Sequence, residues 1–312
     1  MPTVVSHPQQ LPVVVAIDRA REHLTIVDLG VAEATRRRAS LVIVHVWPSR
    51  YGGSTQNRSP LPSEADSRHL LALAARRAVH QEPQLHVTTE LLSGRASTVL
   101  AERSATARLL VVGHRDAAPA QPSWGSTATY LAHQSACPLL VRRGSAPRRG
   151  PVVLAASGDR RSTSTVTCAY AEAARYGSHL VALHMSWPAP GGDHGIDLAQ
   201  ADRYLAEALA GWAGTYPDVV VERLIVQELD LGYTLQRVAR RSRLLVAGMG
   251  RTGRFAELVY GSFGSPGMRG TLCPVLLVPP AWPVRPVRQQ ALQPGGNPRE
   301  PIARTTVRSP FR

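Results

Sequence analysis

Val13-Val14-Val15-Ala16-Ile17-Asp18 returns later in the chain as Val152-Val153-Leu154-Ala155-Ala156-Ser157, displaced by 139 residues. The next apolar run behaves alike: Leu41-Val42-Ile43-Val44-His45-Val46-Trp47 is answered at the same displacement by Leu180-Val181-Ala182-Leu183-His184-Met185, with Trp187 close behind. Farther on, Leu109-Leu110-Val111-Val112-Gly113 matches Leu244-Leu245-Val246-Ala247-Gly248, Gly125-Ser126 matches Gly261-Ser262, and Cys137-Pro138-Leu139-Leu140-Val141 matches Cys273-Pro274-Val275-Leu276-Leu277. Matches in one order at a nearly constant displacement mean a unit of about 140 residues written twice.

Within each unit, short runs of Val, Ile and Leu without polar alternation describe strands buried on both faces. Amphipathic stretches separate them: Leu24, Val27, Val31 and Ala34 follow helical spacing, and so do Val166, Tyr170 and Ala173 before Gly177, which marks a helix stop. Alternation of five strands with four helices predicts an α/β fold, a doubly wound parallel sheet in each unit with right-handed crossovers and helices on both faces. The expected organisation is an extension over 1–10, a first domain over 11–143, a linker over 144–150, a second domain over 151–279 and a disordered Arg/Pro-rich tail over 280–312. Loops rich in Gly, Ser and Pro, Pro48 to Ser63 and Pro188 to Gly195, are expected after the second strand of each unit.

The chain has 312 residues, 44% hydrophobic and 19% charged, which suits two domains with real cores and excludes whole-chain disorder. No run is long and apolar enough for a membrane helix and no signal-peptide pattern opens the chain, so a cytoplasmic location without membrane attachment is expected. The net charge is +14, carried entirely by arginine since the chain has no lysine. Much of that charge lies in Arg142 to Arg149 and the tail. With aromatic residues at 5%, no specific nucleic-acid surface is indicated. Cys137, Cys168 and Cys273 form no Cys-x-x-Cys pair, so neither a disulfide framework nor a zinc site is expected, and buried thiols are.

In an open parallel sheet, ligands bind beyond the carboxyl ends of the strands, where neighbouring crossovers leave in opposite directions. Asp18 ends the first strand and Val46-Trp47 ends the second. The segments Gly113 to Ser126 and Gly248 to Ser262 follow the fourth strands. Both segments end in Gly-Ser before the next element, where a glycine admits close backbone approach and a helix start offers unpaired N–H groups to a phosphate. A glycine turn and a serine cap explain the same residues without a ligand.

Together these features resemble the universal stress protein family: a strand ending in Asp, a second ending in Val-His-Val-Trp, a fourth running through glycines to Gly-Ser, then a helix and a Cys-Pro strand. The resemblance spans nearly all of residues 11 to 279, twice over. It implies tandem domains of the adenine nucleotide alpha hydrolase-like type, in a family whose members often bind ATP. It implies a site at Ala16, Ile17, Asp18, Val46, Gly113, Gly125, Ser126 and Thr127 in the first unit and at Gly248, Arg251, Gly253, Gly261 and Ser262 in the second. It leaves Mg open as a companion of ATP and a homodimer open as an assembly. It implies that the fifth strands, Pro138 to Arg142 and Pro274 to Val278, pair the two units as an internal pseudo-dimer.

Both units depart from the family pattern. In the first, Asp116 stands where a second glycine belongs and would repel a phosphate, and Pro119 and Pro122 stiffen the segment. In the second, Arg251 takes that glycine position and Ser157 replaces the aspartate. Gly264, Pro266, Gly267 and Gly270 fall in the expected final helix, which is therefore weakened.

Other motifs are set aside. Gly248-Met249-Gly250-Arg251-Thr252-Gly253 fits a dinucleotide fingerprint literally but follows the fourth strand rather than the first. The absence of lysine removes a Gly-Lys-Ser phosphate loop, and no His-x-x-x-His pair or Gly-x-Ser-x-Gly elbow is present. His45 and His184 recur at one strand end, as ligand contacts or as satisfied structural residues. The resulting expectation is a cytoplasmic, regulatory, non-enzymatic adenine-nucleotide binder, favouring the first unit. The alternative is a degenerate scaffold acting through protein contacts, with slow ATP hydrolysis ranked last.

Overall fold

The computed structural model describes residues 11–19, 23–47, 63–113, 126–142, 149–156, 163–186, 198–227, 234, 237–238, 240–249, 273–280 and 282–283. The chain divides into two units, Met1–Arg143 and Gly144–Arg312.

The first unit runs β1 (Val13–Ile17), α1 (His23–Arg37), β2 (Leu41–Trp47), α2 (Glu64–Gln81), β3 (Val87–Ser93), α3 (Ala96–Ser104), β4 (Leu109–Gly113), α4 (Ser126–Gln134) and β5 (Leu139–Arg142). Its strands lie in the order β3-β2-β1-β4-β5, all parallel. The central strands are the uninterrupted Val/Ile/Leu runs, with Val13, Val14, Val15, Leu41, Ile43, Leu110 and Val111 essentially inaccessible. β3, paired on one side within its unit, exposes Thr88 and Thr89. Helix α1 packs against α2, and α3 against α4.

The second unit repeats the plan: β6 (Val152–Ala156), α5 (Thr163–Tyr176), β7 (Leu180–Ser186), α6 (Leu198–Leu209), α7 (Trp212–Thr215), β8 (Val221–Gln227), β9 (Leu244–Gly248) and β10 (Val275–Val278). Its order is β8-β7-β6-β9-β10, again parallel. Where one helix was expected between its second and third strands there are two, separated at Gly211, whose φ of 85° only glycine adopts freely. Behind the break, Tyr170 stacks with Trp212 and Tyr216 at centroid distances of 6.1 and 5.7 Å, and Trp212 and Tyr216 lie tilted to one another at 6.5 Å. The expected final helix of this unit, with Gly264, Pro266, Gly267 and Gly270, lies outside the described residues, as do the expected tail from 284 and most of both Gly/Ser/Pro loops.

Helix α1 shows why the pattern folds this way, with one revision. The buried side is Ile26, Val27, Gly30, Val31 and Ala34, while Leu24 is only half-buried. Gly30 belongs to that side because a Cβ there would meet Val15 Cγ2 at 2.1 Å, so its absence lets the helix settle on β1. Both first helices then end alike. Arg38 N–H bonds Thr35 O and Ala39 N–H bonds Ala34 O. Gly177 N–H bonds Ala174 O and Ser178 N–H bonds Ala173 O. This is the Schellman stop. The second unit uses glycine at φ 57°, the first arginine at φ 50°.

Candidate functional site

The strand registers locate an opening in each sheet. β1 pairs with β2 as far as Ile17↔His45, and β4 pairs with β5 as far as Gly113↔Arg142, but β1 and β4 pair only to Ala16↔Val112. The two central strands thus separate a residue earlier than their outer neighbours release them. The second unit does the same: β6 and β9 pair to Ala155↔Ala247, whereas their outer pairings continue to Ala156↔His184 and Val278↔Gly248. The cause is topological. From β1 the chain crosses to β2 on one side, and it returns through β3 to place β4 on the other, so the crevice lies where the crossovers diverge.

At the first crevice stand Ala16, half-buried, Ile17, buried, and Asp18, half-buried just past the strand. Val46 and Trp47 end β2 half-buried, and Gly113 ends β4 half-buried. Ser126 opens α4 and Thr127 follows it half-buried. Arg19 is exposed, with its guanidinium 3.6 Å from the carboxylate of Asp66. Asp66 also closes a reciprocal cap with Ser63 at the start of α2. The Ser63 backbone N–H, foremost, and the Ser63 hydroxyl hold the Asp66 carboxyl below its usual range, with Arg19 adding to it. At the second crevice Gly248 is half-buried beside buried Met249, whose N–H bonds Val278 O at 2.7 Å. Gly125, Arg251, Gly253, Gly261 and Ser262 lie outside the described residues, as do Asp116 and Ser157.

Two kinds of residue read as ligand-facing have neighbours in the protein. A Cβ on Gly113 would stand 2.3 Å from Ile26 Cδ1, and one on Gly248 would stand 2.9 Å from Thr165 Oγ1. Both glycines therefore make room for the first helix of their unit, whatever else passes over them. His45 is buried with Nδ1 2.9 Å from Ile17 O, and His184 has Nδ1 3.1 Å from Ala156 O. Each histidine bonds the last carbonyl of the neighbouring strand. Burial holds His184 below the usual imidazole range, opposed by that same bond.

At the opposite end of the strands is a polar network that motif reading missed. Glu33, buried in α1, pairs with Arg36 and buried Arg37, and Arg108 Nη1 reaches Arg37 O at 3.3 Å. In the copy, buried Glu172 pairs with Arg175 at 2.7 Å, and Arg243 Nη1 reaches Tyr176 O at 3.3 Å with its guanidinium over the Tyr176 ring. The signal was the repeat itself: Ala32-Glu33-Ala34-Thr35-Arg36 and Ala171-Glu172-Ala173-Ala174-Arg175 are 139 residues apart.

Among the described residues there is no group of three or more His, Cys, Asp and Glu able to hold a metal ion, and no helix long and apolar enough to cross a membrane. Cys137, Cys168 and Cys273 are buried and take part in no disulfide, and burial pushes the Cys137 thiol up to about 12.

Comparison with known proteins places these features. The model of the universal stress protein family matches residues 11–143. A universal stress protein of Mycolicibacterium smegmatis is 30% identical over 289 residues, covering 86% of this chain and 97% of its own. Universal stress protein Rv2005c of Mycobacterium tuberculosis is 28% identical over 291 residues, with the same coverage of 86% and 97%. Among solved structures, a universal stress protein from Archaeoglobus fulgidus is similar with a TM-score of 0.61 at 14% identity, covering 87% of this chain and 97% of that one.

Proposed function

The chain belongs to the universal stress protein family, and on that premise we propose that its first unit binds an adenine nucleotide, ATP or a close relative, and acts as a cytoplasmic regulator rather than a catalyst. The observation that carries this reading is the divergence of β1 and β4 beyond Ala16↔Val112 with Asp18 at the edge of the gap. A half-buried carboxylate there offers acceptors to the N–H or hydroxyl groups of an adenosine, and Ala16, Ile17 and Val46 offer apolar backing. The helix start at Ser126 and Thr127, with Gly125 before it, supplies donors and a favourable dipole for phosphates. The second unit carries Ser157 in place of the aspartate, so one nucleotide per chain is the expected stoichiometry.

Gly113 favours a second reading. The space a phosphate-cradling glycine keeps open for a ligand is shared here with Ile26, which suits a scaffold that has lost nucleotide and works through protein contacts. Calorimetric titration of ATP, with and without Mg, into protein freed of copurified ligand separates the two. Binding in the first unit predicts that Asp18→Ala weakens affinity by about tenfold or more, the weight of a hydrogen bond to a charged group. Gly125→Val should act likewise, and Ser157→Ala should change nothing. Neither heat nor a thermal shift at millimolar ATP would leave the scaffold reading in place.

A further inference from the structure

We propose that His45 is a positioning residue for the first crevice: its Nδ1–H fastens the last carbonyl of β1 and thereby sets where Asp18 is presented. The ligand side of this inference rests on the nucleotide reading; the fastening does not. A carbonyl oxygen only accepts, so the 2.9 Å contact with Ile17 O makes Nδ1 a ring nitrogen that carries a hydrogen. The bond sits where it matters most. Ile17 is the last paired residue of β1, β4 has already turned away, and the peptide that follows carries Asp18. Of its two flanking strands β2 alone still pairs with the tip, and His45, buried itself, fastens it there out of reach of competing water.

The copy repeats the arrangement with a different residue to present. His184 Nδ1 lies 3.1 Å from Ala156 O in the equivalent register, and Ser157 follows. A device retained while the presented residue changes serves the strand tip, and the residue after the tip supplies the chemistry. The same geometry argues against direct ligand contact through Nδ1, since the strand carbonyl already occupies it.

The test compares the full chain as wild type, His45→Asn, which keeps an amide N–H near the Nδ1 place, and His45→Phe, which keeps a ring without a donor. Long-range 1H–15N correlation should show the Nδ1–H tautomer for His45. Amide exchange at Asp18 and Arg19 should speed by about tenfold in His45→Phe, the cost of one lost hydrogen bond to a buried acceptor, and return toward wild type in His45→Asn. ATP affinity should fall and recover in the same order. An Nε2–H tautomer, or unchanged exchange in a folded His45→Phe, overturns the proposal. So does unchanged ATP affinity in that variant while wild type binds, and the nucleotide reading then survives. If wild type binds no ATP yet the tautomer and exchange behave as stated, the fastening stands and only the nucleotide reading falls. Should His45→Phe fail to fold, the wild-type tautomer and the His45→Asn exchange decide.

Discussion

Gly113→Ala tests whether the glycine at the end of β4 answers to packing or to a ligand. Its backbone is not in the left-handed region, so alanine meets no conformational penalty there. The added methyl would lie 2.3 Å from Ile26 Cδ1, against an optimal carbon separation of about 3.5–4.0 Å. Either the side chain or helix α1 must give by more than about 1 Å, and overpacking of this kind costs about 1–3 kcal/mol. Ile26→Val removes the offending carbon and alone costs about 1 kcal/mol. Independent effects would make the double variant about 3 kcal/mol less stable than wild type, whereas relief of the clash leaves a loss of about 1, a coupling of about 2 kcal/mol. Urea denaturation of the full chain, with hydrogen exchange of the β4 amides reporting on this unit alone, measures the cycle. Strict additivity would refute the packing account. ATP titration of the double variant adds a second answer: stability regained without affinity would mean that Gly113 serves both neighbours.

Other consequences are open to direct measurement. Arg38→Gly should stabilise the first unit by about 0.5–1 kcal/mol, since relief of the left-handed strain exceeds the freedom glycine adds to the unfolded chain; urea titration reads it, and Gly177→Ala should destabilise the second unit. Glu33→Gln should cost about 3 kcal/mol, because it removes the buried carboxylate with which buried Arg37 pairs; loss of under 1 kcal/mol would show the pair to be dispensable. The three thiols should resist a colorimetric disulfide reagent in native protein and react on unfolding, for all are buried and Cys137 is pushed up to about 12. His184 is held below its ordinary 6.5, so the folded state binds fewer protons than the unfolded one just below that pH. Its contribution is complete above about 6.5 and declines as pH falls toward the folded value. Melting temperatures at pH 7.5 and 5.0 should therefore diverge more for wild type than for His184→Asn.

The duplication made the strands and their doubly wound parallel sheets legible, because strands buried on both faces announce themselves as unbroken Val/Ile/Leu runs and appear here twice. Asp18, Val46 and Gly113 fell at strand ends for the same reason. What stayed hidden has a common cause: one residue type answers several demands. Gly113 and Gly248 read as phosphate neighbours but are held small by Ile26 and Thr165. Glu33 and Glu172 belong to no motif, and periodicity alone does not separate a solvated carboxylate from one buried beside arginines. Arg38 carries no mark of its φ of 50°, which only alignment with Gly177 reveals. The split of α6 from α7 turned on Gly211, a single glycine that composition does not distinguish from any other.

The glutamate–arginine network braces the beginnings of the strands, and the crevice lies at their ends. Substitutions that far apart on a rigid sheet tend to act independently, so the rim of either copy is free to drift while its foundation stays put. That is the state of this chain: the first copy carries an aspartate after its first strand and the second a serine, while both keep the buried glutamate and the arginine three residues beyond it. Every preparation of the protein therefore contains its own matched control, a second vessel of the same make with a different lip, titrated in the same cell and at the same concentration.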